Sequence, residues 1–172
     1  MGRHWIIAIG VVAVVVAAGI LYTVLRPTDR VPAPGEPAPI TGQERAEDAR
    51  KIIADLQAGE RVDYDTAFTR AQEFQQAGQL ADAQLLYFYA ARAEHGPSAF
   101  ALATMNDPNH HSPQTSLLPE PDPFQAYRWY TVARDHGMAD AATERLDALR
   151  AWAEREARAG NAEAERLLLQ WE

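Results

Sequence analysis

The chain has 172 residues, no cysteine and a formal net charge of −8. The missing thiols exclude disulfides, thiolate metal sites and cysteine nucleophiles, without fixing the compartment. From Thr41 onward 13 basic residues stand against 22 acidic ones, a balance of −9 that opposes nonspecific nucleic-acid binding and broad attraction to anionic lipid.

The first element is WIIAIGVVAVVVAAGILYTVL, Trp5 to Leu25, without one charged residue. As a helix it would be about 31 Å long, matching the hydrocarbon thickness of a bilayer. Trp5 and Tyr22 lie near its ends, where amphipathic rings favour the interface, and Arg3 and Arg26 flank it. The expectation is a single transmembrane anchor, with its short tail, over 1–26. A cleavable signal peptide is the alternative, with Val16-Ala17-Ala18 as the cut site. The apolar run continues beyond Ala18, however, and leaves no polar region around the cut. Arg3 on one side and Arg26 and Arg30 on the other leave the orientation open by basic-residue count. A short tail before a long soluble region is the arrangement of an uncleaved signal anchor, which would export the domain.

Residues 27–41 follow as a proline-rich linker. Five of the eleven prolines lie between Pro27 and Pro39. Proline fixes φ and removes a backbone donor, so the stretch is expected to be extended. Pro27 to Ile40 would reach roughly 43 Å at the rise of a polyproline helix, enough to hold a domain clear of the membrane.

Residues 42–172 are rich in Ala, Leu, Glu, Arg and Gln, all good helix formers. Ala46, Ala49, Ile53 and Leu56 stripe a first helix ended by Gly59. Ala67, Ala71 and Phe74 mark a second, closed by Gly78. Leu80, Ala83, Tyr87 and Ala90 mark a third, closed by Gly96. Pro97 starts a fourth through Ala99, Leu102 and Met105. Asp122 and Pro123 cap and start a fifth, which Gly137 ends. Ala142, Leu146, Leu149 and Trp152 stripe a sixth, interrupted by Gly160, and Ala164, Leu167, Leu168 and Trp171 the last. No segment alternates like a strand, so the domain is expected to be all-α.

The helices repeat. LLYFYAARAEHG (Leu85 to Gly96) lies over AYRWYTVARDHG (Ala126 to Gly137) at an offset of 41 residues, placing Phe88 on Trp129 and His95 on His136. GNAEAERLL from Gly160 echoes GMADAATERL from Gly137, with alanine four residues beyond each glycine. Asp122, Ala126, Trp129, Tyr130, Ala133, Gly137 and Ala141 fit an acidic residue, A-x-x-W-Y-x-x-A, glycine and a following helix. This pattern resembles the Sel-one-like repeat family, relatives of the tetratricopeptide repeats. GPSAFALATM (Gly96 to Met105) looks like the first helix of the same repeat, so the best-matching unit runs over 96–141. AQEFQQAGQLADAQLLYFYAAR resembles a tetratricopeptide-type pair around Gly78. The resemblance implies a short α-solenoid with terminal helices as caps, and scaffold-like function. The longer insertion 107–121 departs from the family's short loop.

Within this frame Trp129 and Tyr130 are expected to pack between helices, filling space beside Ala126 and Ala133. Gly96, Gly137 and Gly160 are expected to be repeat-structural, and Gly137 to supply the left-handed helix stop. His95 and His136, each just before a glycine, read as cations at helix C-termini. In the insertion, Asp107, His110 and His111 are metal-capable, but adjacent histidines diverge and no second ligand motif follows, so a polar loop is expected. Leu117 and Leu118 either fold back or face a partner.

No phosphate loop, nucleophile elbow or His-Glu zinc helix is present. The sequence assigns no catalytic residue, cofactor or metal. The leading expectation is a membrane-anchored scaffold that binds protein partners, with Tyr87, Tyr127, Arg128, Leu117 and Leu118 as candidate contacts. The alternatives are an accessory subunit whose anchor packs in a larger membrane complex, and a carboxylate-dependent hydrolase, which the sequence favours least.

Overall fold

The computed structural model describes residues 46–59 and 62–172. The apolar segment 5–25, the linker 27–41 and residues 42–45 at the start of the expected helical domain lie outside the described residues. Seven α-helices and a final 3-10 turn account for the regular structure there: α1 Glu47–Ala58, α2 Tyr64–Gln76, α3 Leu80–Ala91, α4 Gly96–Asn106, α5 Pro123–Asp135, α6 Ala139–Arg158, α7 Ala162–Leu168 and the turn Leu169–Trp171. The described residues are all-α, and none of their helices is long and apolar enough to cross a membrane.

Three helices begin on short polar side chains. Asp63 accepts from Thr66 N–H at 3.1 Å, Asp122 from Phe124 and Gln125 at 3.1 and 3.0 Å, and Asn161 from Glu163 and Ala164 at 3.0 and 3.3 Å. Each satisfies donors that a helix start leaves without an internal partner. α1 has no cap of its own: Ala46 at its start sits at φ 62°. The buried Asp82 of α3 takes that role from 33 residues away, accepting Ala49 N–H at 2.8 Å.

α2 packs on α3, α4 on α5 and α6 on α7, with α5 also against α6 and α1 against α3. Small residues make these approaches possible. Ala83, Ala90, Ala99, Ala103, Ala126, Ala133 and Ala142 are wholly buried, as is Tyr130, while Tyr87 is buried to within 1%. Leu86, Leu149 and Leu167 complete the interior; burying one such leucine stabilises by about 1.5–3 kcal/mol.

Two turn assignments change. Gly96 does not close α3. The left-handed residue there is Glu94, φ 63°, and Gly96 is the first residue of α4. Its hydrogen is required because a Cβ at that point would overlap the His136 carbonyl oxygen at the end of α5. Gly137, by contrast, does sit at φ 95°. His95 also reverses its expected role. Its Nδ1 accepts from Ser98 N–H at 3.4 Å at the start of α4, so the ring serves a helix N-terminus. Its Nε2 faces Asp65 at 3.1 Å, tying α4 to α2. His136 does lie at the C-terminal end of α5.

These turns reset the repeat. His95 N–H reaches Ala90 O at 3.2 Å across Glu94, and Met138 N–H reaches Ala133 O at 2.9 Å across Gly137. This is the same helix-ending hydrogen bond. Matching them equates Glu94 with Gly137, an offset of 43 residues rather than 41. Tyr87 then falls on Tyr130, Ala83 on Ala126, Ala90 on Ala133 and Ala99 on Ala142, every pair buried.

Opposite effects are expected at two neighbouring positions, read by urea unfolding. Glu94→Gly removes a left-handed Cβ and should stabilise by about 1 kcal/mol. Gly96→Ala should destabilise by about 2 kcal/mol or more, because backbone must move to admit the methyl group. Equal tolerance at both would contradict the reassigned turns.

Candidate functional site

The first helices of successive pairs share a surface. Phe68, Gln72 and Gln75 of α2, Pro97, Phe100, Ala101, Thr104 and Met105 of α4, and Met138 just before α6 line an open groove of about 400 Å³. His110, Ser112 and Thr115 of the insertion wall one side. The floor is apolar and aromatic, the polar atoms belong to amides, hydroxyls and the His110 imidazole, and no Asp, Glu, Lys or Arg is among the lining residues. Such a surface offers apolar burial with a few neutral groups to fix orientation.

The insertion is built around a buried carboxylate. Asp107 is 0% exposed. Its Oδ2 accepts from the Tyr130 hydroxyl at 3.0 Å, and its Oδ1 accepts from Asn109 N–H at 2.8 Å and Asn109 Nδ2 at 3.0 Å. Its carbonyl accepts from His110 and His111 N–H at 2.9 and 2.7 Å. These bonds fold the chain back immediately after α4, which is what brings His110 to the groove. His111 Nε2 donates to Leu118 O at 2.9 Å and brackets the rest of the loop. His110 lies against the Arg145 guanidinium and its Nε2 also stands 3.8 Å from Asp107 Oδ2, while His111 turns away to Leu118. Among the described residues no group of three or more metal-capable side chains stands together.

The residues singled out from the sequence divide. Tyr87 is 1% exposed and lines the floor of the groove, where its hydroxyl donates to Gln75 at 3.0 Å. Its ring leans on Phe68 at 5.7 Å. Tyr127 holds the C-terminus, donating to Gln170 O at 2.7 Å and meeting Trp171 edge-on at 4.6 Å. Arg128 is exposed, its guanidinium 5.3 Å from the Trp129 ring centre. Leu117 is half exposed while Leu118 is partly buried, so the leucine pair points two ways. Trp129 and Tyr130 are buried, Trp129 edge-on to Phe88 at 5.9 Å and Tyr130 to Phe100 at 5.4 Å. Ala126 and Ala133 are buried beside them, and Gly160 ends α6 at φ 88°.

The groove residues Phe68, Gln72, Gln75, Phe100 and Met105 were missed as a set. The available signal was the row Phe68, Gln72, Gln75, spaced four and three and running beside the buried Ala67 and Ala71.

Burial raises both inner phenols, Tyr87 up to about 12 and Tyr130 beyond the ordinary phenol range. A phenol raised from 10 in the unfolded chain contributes stability fully present below pH 10 and lost as pH climbs through its folded value. Unfolding free energy should therefore fall between pH 10 and 12, and Tyr87→Phe should flatten that fall. Tyr130→Phe should cost about 1–3 kcal/mol at neutral pH, because Asp107 loses a buried donor. A pH-independent stability across this window would refute the assignment.

No protein-family model matches this chain, and no curated protein and no solved structure gives a significant match, so what the groove does is argued from its geometry.

Proposed function

We propose that residues 42–172 are a short α-solenoid of Sel-one-like helix pairs that binds a protein segment, and that the apolar stretch 5–25 anchors it to a membrane. The observation that carries this reading is the groove: α2, α4 and the start of α6, the first elements of three successive pairs, contribute to one continuous apolar lining. Stacked repeats generate surfaces of this kind because each unit adds the same face next to its neighbour's. An apolar floor rimmed by amides, hydroxyls and the His110 imidazole suits an uncharged or apolar stretch of polypeptide, whose backbone groups Gln72, Gln75 and Thr104 are placed to bond. A lining without carboxylates supports binding over carboxylate-dependent hydrolysis. The proline-rich linker gives the domain reach, and the acidic balance keeps it away from nucleic acid.

The test is purification of the full chain in gentle detergent, with mass spectrometry of its companions. A stoichiometric protein partner is expected, retained when residues 5–25 are exchanged for an unrelated apolar anchor and lost on Gln72→Trp, which fills the groove from an exposed position. A companion lost with the anchor exchange yet kept by Gln72→Trp would replace this reading with an accessory subunit held through its transmembrane helix.

A further inference from the structure

A second surface lies on α3 and α5, away from the groove residues. Ile53 and Gln57 of α1 with Leu85, Phe88, Tyr89, Arg92 and Ala93 of the α3 segment enclose a hollow of about 440 Å³. Phe88 is 43% exposed at its edge, although it is among the larger apolar side chains of the chain. The Arg92 guanidinium lies 5.8 Å from the centre of the Phe88 ring, Phe88 meets Trp129 edge-on, and Arg128 lies over Trp129. Arg92, Phe88, Trp129 and Arg128 thus form one continuous row across two helices.

The charge of this row is unlike that of the molecule. The other basic groups nearby are paired, Arg134 with Asp135 at 2.9 Å and His136 with Glu94 at 3.8 Å. Neither Arg92 nor Arg128 has an ion-pair partner among the described residues. The one acid within α3, Asp82, is buried and committed to α1. Among the described residues, two guanidiniums without an ion-pair partner therefore sit against aromatic rings on an acidic chain, Arg92 lining the hollow and Arg128 at the far end of the row beside Trp129. Arginine and aromatic residues together are the side chains that most often dominate interface energies. Planar guanidiniums favour carboxylates in paired geometry.

We propose that this face docks an acidic segment of a partner protein: an apolar side chain enters the hollow beside Phe88, and flanking carboxylates bond Arg92 and Arg128. The occupant is a different protein rather than a second copy, because two chains of this strongly negative balance repel each other at long range. With the groove on the first helices and this face on the second, one domain holds two partners at once.

The test places a photo-crosslinker at the hollow, Ala93→p-benzoylphenylalanine, in the full chain within its native membrane. The expected adduct is a partner segment with net negative charge around an apolar residue. Its yield should fall at least tenfold in Arg92→Glu/Arg128→Glu, fall less in the Arg→Gln pair, drop with added salt, and survive the groove substitution Gln72→Trp. Both arginines are exposed, so an unchanged circular dichroism spectrum should accompany the loss. Absence of an adduct, self-crosslinking, a basic or uncharged segment, or a yield indifferent to charge reversal would overturn the proposal.

Discussion

The described architecture depends on how closely α4 approaches α5. At one end Gly96 faces the His136 carbonyl with no room for a methyl group. Along the shared face Ala99, Ala103, Ala126 and Ala133 are all fully buried. Close backbone approach leaves the large rings to fill the remaining spaces, and Tyr130 and Phe100 meet edge-on at 5.4 Å. Interiors packed at this density tolerate little change in volume, so the geometry of this pair is transmitted to its neighbours. α6 follows directly from Gly137 and Met138, and the angle at which α5 ends determines where α6 begins.

The same pair positions the insertion. Tyr130 points its hydroxyl past Thr104 to Asp107, at the exit of α4. A buried carboxylate is costly unless its oxygens are satisfied, and here Asn109 and Tyr130 supply the donors. The α4–α5 pair and the loop are thereby tied together at one buried, hydrogen-bonded centre. The groove takes its wall from this centre, since His110, Ser112 and Thr115 follow where Asp107 turns the chain.

Much of the helical layout is legible locally. Asp122-Pro123 marks a helix start because a short carboxylate and a missing N–H both suit that position. Gly78, Gly137 and Gly160 mark stops because the left-handed conformation burdens a Cβ, and all three have positive φ. Gly96 misled because the same residue type also serves close packing, which no local pattern distinguishes. Glu94 took the left-handed position without announcing it, so aligning histidine with histidine shifted the repeat by two residues. His95 likewise depends on Ser98 and on Asp65, the latter 30 residues away. The ties between Asp82 and Ala49 and between Asp107 and Tyr130 span 33 and 23 residues. Only the folded chain brings these together, and they decide which polar groups are structural and which remain for partners. Tyr87 shows the consequence: it is packed into the interior under the groove, while its neighbour Phe88 faces outward.

Hydrogen exchange on the full chain, purified with its companion and then stripped of it, tests directly whether the groove is where a partner binds. Slower exchange in the companion's presence over residues 64–76, 96–106 and 107–121, with residues 5–25 unchanged, is the expected result. Protection confined to residues 5–25, with the helical domain indifferent to the companion, would contradict it.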